Sequence, residues 1–153
     1  MTYLGEFGAV TARIHRSADQ PAEPGVGAIV VTGSVTQGEF GMFRGFMRPG
    51  TEVGGHFHRT FSESFYVLQG ELQFFDGDRL DDVNTGDLVY VPRGGIHGLK
   101  VEGDTPAEVL TIFSPGIARE EFVYELLQIT RTGRTLSAGE WAEFYARHDQ
   151  YMV

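Results

Sequence analysis

Glycine recurs at short intervals through the first 116 positions of this chain, and the apolar runs between glycines are short. Turns so closely spaced leave no room for helices of ordinary length but suit short strands. The pattern predicts about nine to eleven strands with turns every 6 to 12 residues, an all-β jelly roll or sandwich. Ala9–Arg16 reads as a first strand, with Val10, Ala12 and Ile14 alternating against Thr11, Arg13 and His15. Ser17–Gly25 is a polar, proline-bearing loop, and Gly27–Gly33 is a short apolar strand. Across Gln37–Arg48 the alternation is loose. Phe40, Met42 and Phe46 share one phase, Phe43 and Met47 the other, and the inward face is undecided.

Further strands are expected at Glu63–Gln69, Glu71–Phe75, Leu88–Val91, Ile96–Val101 and Val109–Phe113. Pro49-Gly50, Gly70, Asp76-Gly77, Gly86-Asp87 and Pro92–Gly95 are the turns between them. The periodicity then changes. Ile117–Ile129 places apolar residues at 122, 123, 126, 127 and 129, the spacing of a helix that Gly133 would end. Ser137 followed by Glu140 fits a capping box opening a second helix at about 138–147, whose Trp141, Phe144 and Tyr145 form an apolar stripe. The expectation is one domain over 1–153, with a barrel at about 9–114 and a helical appendage at about 116–148.

Within that frame, Gly50–Gly70 (GTEVGGHFHRTFSESFYVLQG) concentrates chemistry. His56 and His58 sit two apart, so on a strand both imidazoles face the same way. Glu63 follows where the chain can turn back, and Gly86–His97 (GDLVYVPRGGIH) can supply a third histidine. Histidine and carboxylate converging on one point suit a borderline divalent metal, so the expected ligands are His56, His58, Glu63 and His97. Three neutral imidazoles and a carboxylate leave a divalent ion net positive, able to attract an anionic oxygen or acidify bound water. An octahedral ion would keep two positions for substrate and dioxygen. A carboxylate that leaves the metal can take a substrate proton, which offers Glu63 a second role as general base.

In strand phase with these ligands lie Phe65 and Val67 after Glu63, and Leu99 and Val101 after His97. Phe65, Val67, Leu99 and Phe113 are therefore expected to line an apolar substrate pocket above the metal. Tyr66 and Leu68 fall on the opposite pleat and should face outward. His15 and His148 lie outside the cluster, and Arg59 and Arg93 read as surface arginines.

These residues resemble the two motifs of the cupin superfamily, in its single-domain branch. The first motif is Gly50, His56, His58, Glu63 and Gly70, with every interval met. The second is Gly86, Pro92, Gly94 and His97, with Val101 where the family pattern has asparagine. The resemblance implies a cupin jelly-roll β-barrel and one divalent transition metal: iron, nickel, cobalt, manganese, copper or zinc. A lone cupin domain with a helical tail looks most like the small bacterial quercetinase-type (flavonol 2,4-dioxygenase) proteins. That likeness implies a dioxygenase acting on a hydroxylated aromatic such as a flavonol, with Glu63 as ligand and base. It also implies a small-molecule substrate and dioxygen as partners, and a homodimer. Alternatives within the family are a polyketide cyclase or isomerase using zinc, or a cupin that binds a small molecule without turnover.

Totals narrow the field further. The formal net charge of −9 disfavours nucleic acid and anionic membrane as partners. The absence of cysteine removes disulfides, thiolate metal sites and thiol catalysis. No signal-peptide pattern or membrane-length apolar run is read, so a cytoplasmic protein is expected.

Overall fold

Eleven strands and two helices follow one another in a computed structural model that describes residues 11–23 and 26–153. The strands are β1 (Ala22–Glu23), β2 (Gly27–Val31), β3 (Gly41–Met47), β4 (Glu52–Phe57), β5 (Ser62–Gln69) and β6 (Glu71–Phe75). After them come β7 (Leu80–Asn84), β8 (Leu88–Val91), β9 (His97–Lys100) and β10 (Ala107–Ser114). Helices α1 (Arg119–Thr132) and α2 (Ala138–Arg147) precede a short β11 (Tyr151–Met152).

The strands form two antiparallel sheets, ordered β1-β2-β3-β10-β5-β8 and β11-β4-β9-β6-β7. The architecture is the expected jelly roll, but the sheets do not join into one continuously hydrogen-bonded barrel. Between them lies the core: Phe65 and Val67 of β5, Leu72 and Phe74 of β6, Val83, Val91, Leu99, Val101, Ala107 and Val109. Pleat alternation decides this. On β5, Glu63, Phe65 and Val67 are buried while Tyr66 and Leu68 are exposed on the outer face.

The phase left open on β3 is also settled. Phe43 meets the Phe113 ring at 5.0 Å and Met47 packs on the core, whereas Arg44 and Phe46 point outward. Gly70, between β5 and β6, has φ 81°, and a Cβ there would lie 2.5 Å from the Pro106 carbonyl oxygen. Only glycine fits that corner.

The expected strand at Ala9–Arg16 is not found. Ala9 and Val10 lie outside the described residues, and 11–16 is exposed chain without strand pairing. The alternation was real but thin: Ala12 and Ile14 offer little area to bury. The loop expected over Ser17–Gly25 carries a short 3-10 turn, Ser17–Asp19, and β1; its Pro24 and Gly25 lie outside the described residues.

The helices match their signals more closely. Gly133 ends α1 in a left-handed conformation, and Ser137 and Glu140 form the reciprocal capping box at α2. Phe122 stacks on Phe144 at 5.2 Å, and Trp141 abuts both Phe144 and Tyr145. The helical segment is more than an appendage, because after α2 the chain returns as β11 and pairs with β4, Tyr151 opposite Phe57 and Met152 opposite His56.

Candidate metal centre

Four side chains from both sheets meet at one end of the core. His56 comes from β4 and His97 from β9, directly opposite each other in the strand pairing. A bulge at Gly54–Gly55 sets this up. The register runs from Val53 opposite Leu99 to His56 opposite His97, one residue more on β4 than on β9. The extra residue lets Val53 pack on the core and His56 still face inward. His58 lies just past β4, two residues on, and Glu63 points across from β5 in the facing sheet.

All four are buried, and their ligand atoms lie within 4.8 Å of one another. Glu63 Oε2 is 3.1 Å from His58 Nε2 and 2.8 Å from His97 Nε2. The His56 and His97 rings are 4.3 Å apart, and those of His56 and His58 4.9 Å.

Each ring is oriented by its other nitrogen. Nδ1 of His56 donates to the Gly54 carbonyl at 2.8 Å, Nδ1 of His97 to Gly95 at 3.0 Å, and Nδ1 of His58 to Asp149 at 2.6 Å. A carbonyl only accepts, so each neutral imidazole carries its proton on Nδ1 and leaves Nε2 as a bare lone pair. For His58 and His97 that lone pair meets a carboxylate oxygen, and two acceptors this close repel unless a proton or a cation lies between them. The donor set thus fits a divalent ion of the nitrogen- and oxygen-loving kind.

The electrostatics agree. Burial, reinforced by the neighbouring His97, lowers the His56 pKa to about 4, so this ring is neutral and able to ligate at ordinary pH. Burial would raise Glu63. In the metal-free protein, with a proton between Glu63 and these rings, hydrogen bonds with His58 and His97, then the charges of His58 and Arg119, outweigh it and hold the carboxyl well below the usual carboxylate range.

Of the four expected pocket residues, Phe65 lies 5.8 Å from the His97 ring, and Phe113 meets Phe61 and Phe43 edge-on. Val67 and Leu99 belong to the packed core. A cavity of about 200 Å³ on the outside of the second sheet is lined by Leu99 with Val53, Gly54, Phe75 and Lys100. Another, of about 220 Å³, lies against Thr60, Arg119, His148 and Asp149. None of the four clustered residues lines either cavity.

Sequence reasoning missed Phe61, Arg119 and Asp149. Phe61 is buried and stacks on His58 at 4.2 Å. Arg119 is only 7% exposed and reaches the site's surroundings from α1. Asp149 arrives from beyond α2. Phe61 lies inside the span of the first motif but is not one of its defining residues, and for Arg119 and Asp149 only the helical spacing of Phe122 hinted that this part of the chain packs inward. Arg59, read as a surface arginine, is exposed and lies over the Tyr151 ring at 4.0 Å. His148 caps α2 and pairs with Glu125 at 2.8 Å, away from the cluster.

The family described as Cupin_2, cupin domain, matches residues 44–113, a span that holds both motifs. Over 64 residues the chain is 33% identical to an oxalate-binding protein of Thermotoga maritima, covering 42% of this chain and 53% of that protein. Over 89 residues it is 24% identical to quercetin 2,3-dioxygenase of Bacillus subtilis, covering 58% of this chain and 26% of the enzyme. The chain thus aligns with about half or less of the length of these curated relatives. The solved polyketide cyclase RemF from Streptomyces resistomycificus shares the fold, with a TM-score of 0.56 and 23% identity over 69% of this chain and 80% of the cyclase. Residues 44–113 thus match the cupin domain, set within a jelly-roll fold that the cyclase shares.

Proposed function

We propose that the chain is a metal-dependent dioxygenase that acts on a hydroxylated aromatic or otherwise enolisable substrate, in the manner of the quercetinases. The observation that carries the reading is the division of labour within the Glu63 carboxylate. Its Oε2 faces His58 and His97, while Oε1 makes no hydrogen bond among the described residues. One oxygen can serve as ligand while the other stands ready to accept a proton from a substrate hydroxyl.

Phe61, Phe65 and Phe74 pack against the histidines, and Phe113 packs on Phe61 behind them. Such a wall excludes water and favours an aromatic guest. A bound divalent ion would supply Lewis-acid polarisation of the substrate's oxygens. Oε1 of Glu63 would take the hydroxyl proton, and the electron-rich carbon of the resulting enolate would then react with dioxygen. Phe65 and Phe113 would contact the substrate ring, and Val67 and Leu99 would set the depth of the pocket behind them.

The experiment is metal analysis of the purified protein combined with an oxygen-electrode screen of flavonols. Oxygen uptake with a flavonol is the expected result. In Glu63→Gln, which keeps shape and removes the base, turnover should fall by about 100-fold or more. Full activity in that variant would end the assignment of Glu63 as base.

A second reading is favoured by the higher identity to the oxalate-binding protein than to the dioxygenase. In it, the same centre holds a small oxygen-rich molecule without oxidation, or rearranges it as a cyclase or isomerase would. Metal-dependent binding without oxygen uptake, or turnover under strict anaerobiosis, would select this reading.

A further inference from the structure

Two of the three histidines take their orienting carbonyl from two residues earlier in the chain, Gly54 for His56 and Gly95 for His97. His58 does not. It lies beyond the end of β4, and its partner is the Asp149 carbonyl, 91 positions away and outside the cupin domain at 44–113. Asp149 also grips the turn after His58 through its side chain. The carboxylate accepts from the Arg59 amide at 3.1 Å, the Thr60 amide at 2.8 Å and Thr60 Oγ1 at 2.6 Å. These bonds, with those at the backbone, hold Asp149 at φ 52°, an uncommon conformation for a residue with a Cβ.

Asp149 is itself bracketed. Arg119 Nη1 donates to the His148 carbonyl at 3.1 Å and Nη2 to Gln150 Oε1 at 2.5 Å, one contact on each side of it. The guanidinium lies 3.9 Å over the Phe122 ring and 5.9 Å from Phe61, the ring that stacks on His58. Arg119 is buried, yet among the described residues no carboxylate lies within ion-pair distance of it. Its charge is balanced instead by the more distant carboxylates of Glu63 and Asp149.

We propose that Arg119 and Asp149 are positioning residues of the metal centre. They hold His58 with its proton on Nδ1 and its Nε2 lone pair aimed at Glu63, so that metal affinity depends on residues outside the cupin domain. The inference rests on the metal reading of the four-residue cluster. Without the Asp149 carbonyl the His58 ring could rotate, and both tautomers would become accessible. Partners of this kind, removed from other metal sites, weaken binding by about 10–100-fold. A purely structural anchor behaves differently: losing it lowers the stability of the metal-free protein but leaves the affinity of the folded fraction unchanged.

The test uses the full chain, stripped of metal and titrated with cobalt(II) by visible absorption in competition with a chelator. Arg119→Met keeps bulk and removes the charge, Arg119→Lys keeps charge but loses the fork, and Asp149→Gly keeps the left-handed backbone while deleting the carboxylate. Arg147→Ala is the control. Arg147 pairs with Glu125 at the same helix junction and makes no hydrogen bond or ion pair with His58, Arg59 or Thr60 among the described residues. The expected result is an affinity loss of about 10–100-fold in Arg119→Met and Asp149→Gly, a smaller loss in Arg119→Lys and none in the control.

Folded Arg119→Met and Asp149→Gly proteins that bind cobalt as tightly as the parent would overturn the proposal while leaving the metal reading intact. A parent chain that binds no cobalt would remove both. One readout needs no variant: nitrogen-15 spectra of the metal-free parent should show Nδ1 of His58 protonated, and a bare Nδ1 there also overturns it.

Discussion

His56, His58, Glu63 and His97 were legible from spacing because motif residues on neighbouring strands keep fixed intervals and a pleat of period two tells which share a face. Arg119 and Asp149 were not, because what makes them matter is a set of contacts between distant parts of the chain, and Phe61, though it stacks on nearby His58, carries no ligand atom to mark it. The two groups differ in how pH reaches them. In the metal-free protein His56 has a pKa of about 4, below its ordinary 6.5. The unfolded chain therefore binds a proton that the folded chain refuses, and stability drops as pH falls from 6.5 towards 4. The slope from this one group approaches about 1.4 kcal/mol per pH unit. The low pKa of Glu63 adds stability that is intact above its ordinary 4.5 and is lost only as pH falls below it. Urea midpoints of the metal-stripped protein should accordingly decline from pH 6.5 downward, and a flat profile across that window would contradict the burial of a neutral His56.

At the level of elements, strands and helices were readable where a local signal coincided with a tertiary demand. The α2 boundaries follow from Ser137 and Glu140, which satisfy each other's backbone groups whatever else the chain does. β5 follows from alternation that the core enforces. The expected strand at 9–16 had alternation with no partner sheet behind it over 11–16, and β11 has only two residues, too few to show any period. The Gln37–Arg48 phase could not be read because apolar residues occupy both faces of β3, and only the Phe113 ring across the pairing decides between them. The corner between β5 and β6 gives a clean test. Gly70→Ala forces a Cβ against the Pro106 carbonyl at a positive φ, so it should lower stability by about 1–3 kcal/mol in urea unfolding. A variant as stable as the parent would mean that the hairpin relaxes without cost.

At the scale of the whole molecule, an outer face of the first sheet lies uncovered among the described residues. Tyr66 and Leu68 of β5 lie beside Leu88 and Tyr90 of β8, all four exposed on the same side of the first sheet. We infer that a second copy covers this face. Sedimentation should then give about twice the 16.9 kDa chain mass, and Leu88→Asp should return a monomer. A monomeric parent would remove the inference. The separation of the metal site's parts along the chain bears on time as well as on shape. Glu63 meets His97 across 34 positions, and His58 meets Asp149 across 91. Loops this long close late in folding, since their entropy must be lost before any contact repays it. A binding site completed after the rate-limiting barrier cannot speed the climb towards it; it can only deepen the well beyond. Added metal should therefore leave the refolding rate unchanged and slow unfolding in proportion to its affinity, a split that stopped-flow traces with and without chelator will resolve. On that account a bound ion would serve this fold as a latch, setting how long the native state lasts once it is reached.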